Sequence, residues 1–95
     1  MKFAFIIMGD FASTDSAKIC GGAAQIIGVR SIAEAETAAR CLAAEGIGCI
    51  ELCGAFGEEG ARKIIAATDG RLPIGYVTHL SEQDEIYRKA FGSKA

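Results

Sequence analysis

Apolar runs of strand length alternate with segments of helical periodicity along this chain. The apolar runs are Lys2–Met8, Ala23–Val29, the run that begins at Ile47, and Leu72–Val77. The segments between and after them are Ser13–Cys20, Ser31–Gly46, Gly57–Asp69 and the stretch from Ser81 onward. Strand and helix patterns in this alternation predict an α/β fold built from four strand-helix units.

Several of these boundaries follow from local chemistry. Ser31 and Glu34 have the spacing of a capping box, so a helix should begin at Ser31 and end near Gly46. Ser13–Cys20 is predicted as a short helix that Gly21 and Gly22 end. The last helix should begin at Ser81, and the tail 92–95 should fray. Its buried side is predicted to consist of Ile86, Tyr87, Ala90 and Phe91.

Consecutive parallel strands joined by right-handed helical crossovers predict one α/β domain over residues 1–95 with a four-stranded, mainly parallel sheet. Two arrangements remain open. A flavodoxin-like open sheet with strand order 2-1-3-4 is preferred over half of a (β/α)8 barrel that pairs with a second copy. In both arrangements a ligand crevice lies at the carboxyl ends of the strands.

The strand that begins at Ile47 carries a carboxylate, Glu51, among apolar neighbours and then breaks into glycines. A charge in such a position needs a hydrogen bond, an ion pair or a proton, and such positions are frequent at functional sites. Glu51 is therefore the first candidate for a general base. The competing interpretation places Glu51 in a subunit contact.

Other polar residues should converge on the same edge of the sheet. His79 is the candidate acid or electrophile, Arg30 an anchor for an anionic group, and Asp10 and Cys53 further ligand contacts. Each has a structural alternative, such as a turn residue for Asp10 or an ion-pair partner for Arg30. Backbone donors are expected from the loop residues Gly54, Ala55, Phe56 and Gly57.

Composition narrows the class of protein. With 51% hydrophobic residues, 23% charged residues and a net charge of −2, the chain is typical of soluble globular proteins and has no basic excess for nucleic acid. Its apolar runs fall short of the roughly 20 residues that cross a bilayer. Because Met1-Lys2 leads directly into a strand without a cleavage pattern, we expect no signal peptide and a cytoplasmic location.

The four cysteines are expected to be reduced thiols. Cys49 and Cys53 would lie about 13 Å apart on one strand, too far for a bridge. Cys20, Cys41 and Cys49 are predicted to be small buried residues. With one histidine and no Cys-x-x-Cys pair, the sequence predicts neither a metal site nor a cofactor.

The chain also resembles a known family. The runs Phe3–Gly9, Gly28–Arg30, Ile50–Ala61 and Pro73–Val77 are together similar to those of the family of unknown function DUF6506, and the Glu-Leu-Cys-Gly-Ala-Phe-Gly block beginning at Glu51 is the most specific of them. The resemblance runs nearly end to end. It implies a small α/β protein and assigns no catalytic residue.

These observations predict a homo-oligomeric α/β protein that binds a small metabolite at the carboxyl ends of its strands, without nucleic acid or membrane partners. Whether it is an enzyme is left open. Proton-transfer or lyase-like chemistry beside a carbonyl, with Glu51 as base and His79 as acid, is the expected reaction if it is one. The alternative is a non-catalytic oligomeric interaction module.

Overall fold

The computed structural model describes residues 1–92, which form an α/β fold of five strands, three α-helices and two short 3-10 turns. The strands are β1 (Phe3–Met8), β2 (Ser16–Ile19), β3 (Ala24–Val29), β4 (Cys49–Leu52) and β5 (Ile74–Tyr76). The helices are α1 (Ile32–Ala44), α2 (Gly57–Ala67) and α3 (Asp84–Phe91), and the 3-10 turns are Cys20–Gly22 and Ser81–Gln83.

The sheet has the order β2-β3-β1-β4-β5, with β2 and β5 at its edges. β1 pairs in parallel with β3 and β4, and β4 pairs in parallel with β5. β2 runs antiparallel to β3. The four predicted strands are present as β3, β1, β4 and β5, which are parallel and lie in the predicted order 2-1-3-4. The predicted strand number is wrong, because the additional edge strand β2 makes the sheet five-stranded and mixed.

That edge strand replaces the helix predicted over Ser13–Cys20, which is wrong as well. Cys20, Gly21 and Gly22 have positive φ angles of 53°, 64° and 100° and reverse the chain. The reversal lays β2 beside β3 as a hairpin, with Ile19 opposite Ala24. The two glycines mark this turn and not the end of a helix.

One face of the sheet carries the core. Ile6 of β1 and Ile50 and Leu52 of β4 are fully buried on this face. The helices α1 and α2 cover it with residues that are mostly small, which lets both helices approach the strands closely. These helix residues are Ala35, Ala39, Leu42, Ala61 and Ile64.

The predicted start of α1 is confirmed. Ser31 is its N-cap, and the Ser31 hydroxyl accepts a hydrogen bond of 3.1 Å from the backbone N–H of Glu34. The reciprocal bond of a capping box is shifted by one residue, because the Glu34 carboxylate accepts from the backbone N–H of Arg30 at 2.8 Å.

The last helix differs from its prediction in start and in burial. Ser81–Gln83 forms a 3-10 turn, and α3 begins at Asp84. No residue of α3 is buried, so the predicted inward side of Ile86, Tyr87, Ala90 and Phe91 is wrong for the single chain. Its principal neighbour is the preceding 3-10 turn. Of the tail predicted to fray, residues 93–95 lie outside the described residues.

Within residues 1–92 no helix covers the second face of the sheet, and the topology explains this. Crossovers are almost always right-handed, so crossovers that run in opposite directions across a sheet lie on opposite faces. The connection from β3 to β4 contains α1 and covers the core face. The return connection from β1 to β3 belongs on the other face, but it contains β2 at the sheet edge.

Candidate functional site

The uncovered side of the sheet is a mostly apolar surface, which we call the open face. Phe5 lies at its centre, between Ile26 of β3 and Glu51 of β4. Pairing continues outward from there, with Ala17 opposite Ile26 and Gly75 opposite Glu51. By strand register the open face consists of Phe3, Phe5, Ile7, Ala17, Ile19, Ala24, Ile26, Gly28, Cys49, Glu51 and Gly75.

Glu51 is the only charged residue in that set. It is half-buried, and its carboxylate lies over Gly75, where a Cβ atom would overlap the Oε1 oxygen. Glycine at this position therefore provides the space that the carboxylate occupies. Within residues 1–92 Glu51 makes no side-chain hydrogen bond and no ion pair.

Two cysteines lie near Glu51 in different environments. Burial raises the pKa of the Cys49 thiol above its ordinary value of 9.0, and the negative charge of Glu51 raises it further. Cys53 follows the end of β4, and its Sγ accepts a hydrogen bond of 3.3 Å from the backbone N–H of Met8. Cys20 and Cys41 are exposed, which contradicts their predicted burial, and all four cysteines are free thiols.

His79 is engaged with the last helix. Its Nε2 lies 2.7 Å from Oδ1 of Asp84, and its ring stacks on Tyr87 with centroids 3.9 Å apart. These contacts connect the end of β5 to α3. No hydrogen bond joins His79 to Glu51 within the described chain.

Arg30 is also occupied locally. Its guanidinium lies 3.3 Å from the carboxylate of Glu34, and the two side chains are 56% and 40% exposed. Asp10 is exposed in the loop after β1. The structure therefore places Arg30 as an ion-pair partner at the start of α1, the structural alternative considered above.

The glycine-rich loop divides into exposed and buried parts. Gly54 and Ala55 are exposed, whereas Phe56 is only 5% exposed and packs in the core against Gly60. Gly57 begins α2 with a φ of 63°. Backbone groups of the loop remain candidate ligand contacts, but the ring of Phe56 belongs to the core.

Two hollows lie elsewhere on the surface. One, of about 210 Å³, is lined mainly by Phe3, Phe5, Ile19 and Ile26 on the open face. A second, of about 240 Å³, lies beside β2 and is lined by Ile7, Asp15, Ser16, Ala17, Ile26 and Gly28. None of the predicted site residues lines either hollow.

Sequence reasoning missed the open face itself and Phe11. The Phe11 ring lies over Gly28 at the end of the open face and is half-buried. A usable signal for β2 was present, because Ser16, Ala17, Lys18 and Ile19 alternate between polar and apolar residues with the period of a strand.

Over residues 1–92 no group of three or more His, Cys, Asp or Glu side chains is placed to hold a metal ion. Within the same range, none of the helices has both the length and the apolar character that crossing a membrane requires.

The fold and its surface define a small α/β protein with helices on one face of a mixed sheet and an apolar second face. The model of a family of unknown function, DUF6506, matches residues 1–92, and the chain belongs to this family. No curated protein and no solved structure matches the chain.

Proposed function

We propose that the protein is a self-associating interaction module whose open face is covered by a second copy of the chain. The observation that carries the proposal is the exposure of large apolar side chains on a sheet face that no helix covers. Contiguous exposed apolar surface of this kind marks interaction sites in soluble proteins.

The exposed fractions support this assignment. Phe3 and Phe5 are each 37% exposed, Ile26 is 42% exposed and Ile19 is 66% exposed. Phe3 and Phe5 pack edge to face with centroids 6.1 Å apart, so they present one continuous aromatic surface. Burying these side chains between two copies would remove them from water, which stabilises an association by about 25 cal/mol for each Å² of apolar surface.

Metabolite binding by Glu51 is the second candidate, and one observation favours it. Glu51 is a half-buried carboxylate without a polar partner in the described chain, and it faces the surface that a second copy would cover. In this version the ligand binds between copies. The contacts of His79 and Arg30 with Asp84 and Glu34 give less support to a site at the carboxyl ends of the strands.

Sedimentation velocity of the wild type and of two matched variants tests the proposal. Ile26→Lys places a charge on the open face, whereas Ile65→Lys makes the same change on α2 at a residue that is 40% exposed. We expect a dimeric wild type, a monomeric Ile26→Lys variant and a dimeric Ile65→Lys variant. Circular dichroism confirms that each variant is folded.

A wild type that stays monomeric at a protein concentration of about 100 micromolar, where a Kd of about 10 micromolar would give mostly dimer, would overturn the proposal. Equal dissociation by both lysine variants would overturn it too, since the effect would then not be specific to the open face.

A further inference from the structure

The helix α3 is a second apolar surface without a partner. Its residues divide into two halves, with Ile86, Tyr87, Ala90 and Phe91 on one side and the charged residues on the other. Ile86 is 60% exposed and Phe91 is 69% exposed. A helix of eight residues is too short to be stable by itself, so this apolar half needs a surface to pack on.

In the single chain, α3 leaves its own open face exposed. The bond from His79 to Asp84 and the stacking of His79 on Tyr87 tie the first turn of α3 to the loop that follows β5. Phe91 stacks on Tyr87 along the same helix. The apolar half of α3 therefore remains exposed in the single chain, and so does the sheet face that lacks a helix.

The area that a stable dimer needs also points to α3. Strands about 4.8 Å apart with a rise of about 3.3 Å per residue give the open face no more than about 480 Å². Specific interfaces bury about 800 Å² per partner, and about 600 Å² at the lower end. One side of α3, about 12 Å long and about 10 Å wide, adds about 120 Å², and the total reaches that lower end when the remainder of each open face is covered by the open face of the other copy.

The charges are complementary. Glu51 is the one charged residue of the open face, and Arg88 lies at the edge of the apolar half of α3, next to Phe91 along the helix surface. Within residues 1–92 neither has an ion-pair partner, whereas Asp84 and Lys89 of the same helix do.

We propose that α3 of one copy docks on the open face of a second copy, with Arg88 pairing with Glu51 of that second copy. The arrangement is reciprocal, as expected for a two-fold dimer. The partner's α3 then covers the open face, on which the connection from β1 to β3 places no helix. This inference rests on the proposed self-association through the open face, and the experiments below separate the two.

Isotope-filtered NOE measurements on dimers mixed from labelled and unlabelled wild-type protein locate the helix directly. We expect contacts between Ile86 or Phe91 of one copy and Phe5 or Ile26 of the other. A dimer whose intermolecular contacts join only open face to open face would overturn the docking of α3 and leave self-association intact. A monomeric wild type would overturn both.

Charge reversal tests the ion pair by sedimentation equilibrium. We expect Glu51→Arg and Arg88→Glu each to weaken dimerisation about tenfold or more, and the double variant to recover most of that loss. Arg40→Glu is the control, because it makes the same change on the exposed side of α1. Failure of the double variant to recover, with folding confirmed by circular dichroism, would overturn the pairing of Arg88 with Glu51.

Discussion

The effect of Gly28→Ala on the free energy of unfolding is expected to change sign with the residue at position 11. A Cβ atom at Gly28 would lie 2.7 Å from Cγ and 2.8 Å from Cβ of Phe11. These atoms belong to the base of the Phe11 side chain, so rotating the ring cannot relieve the overlap. Gly28→Ala must therefore displace the loop that carries Phe11 from the end of the open face.

The magnitude follows from two opposing effects. Overpacking of this kind costs about 1–3 kcal/mol. Gly28 has no positive φ, so alanine also restricts the unfolded chain, which stabilises the folded protein by about 0.4–1 kcal/mol. The net effect in the wild type is a loss of about 1–2 kcal/mol, or a decrease in Tm of about 4–16 °C for a domain of this size.

In a Phe11→Gly background the Cγ and Cβ atoms that Gly28→Ala would overlap are both gone, and only the favourable effect remains. Gly28→Ala should then raise the stability by about 0.4–1 kcal/mol. Thermal and urea unfolding of the wild type, both single variants and the double variant, all at one protein concentration, give the coupling energy. Equal effects of Gly28→Ala in both backgrounds would refute the placement of Phe11 over Gly28.

Four further outcomes are expected. In the monomeric Ile26→Lys background, Glu51→Gln should leave the Tm equal or raise it, because the carboxylate has no polar partner within residues 1–92 of the single chain; a clear decrease measured by calorimetry would make Glu51 a structural group. Removing this charge should also lower the pKa of Cys49 and speed its alkylation by iodoacetamide near pH 8.5, followed by mass spectrometry at Cys49, because the charge of Glu51 contributes to raising that pKa. The pKa of Cys49 is raised above 9.0 in the folded state, so the contribution of this thiol to stability is present below pH 9 and is lost as the pH rises further. Cys49→Ala should therefore flatten the alkaline decline of the free energy of unfolding. Ser31→Ala should destabilise the protein by about 1 kcal/mol in urea unfolding, because it removes the bond from the Glu34 N–H to the Ser31 hydroxyl. Ser81→Ala should change the stability little, because the 3-10 turn that begins at Ser81 has no side-chain cap bond.

Local signals predicted the elements that depend on local chemistry. The spacing of Ser31 and Glu34 located the start of α1, since a hydroxyl cap acts within one turn of its own helix. The helix predicted over Ser13–Cys20 is wrong, because two glycines after a short segment can end a helix or turn a hairpin. Tertiary pairing with β3 decides between these outcomes, and no local pattern contains that information.

The candidate site was less predictable, for a related reason. The rule that places ligands at the carboxyl ends of strands assigned Arg30 and His79 to one crevice. Each instead pairs with a carboxylate a few residues further along the chain, Glu34 and Asp84 respectively. Partners this near in sequence are available to any exposed charge at the start of a helix, so they compete with convergence across the sheet.

The alternation of polar and apolar residues along β2 is the strongest support for a covered open face. All four of its residues are exposed, yet they are not uniformly polar. Ser16 and Lys18 point to the side of the sheet that carries the helices, whereas Ala17 and Ile19 belong to the open face. A strand exposed to water on both faces has no reason to place its apolar residues on one of them. The alternation is that of a strand with one covered face, and the covered face is the one that α1 and α2 leave open.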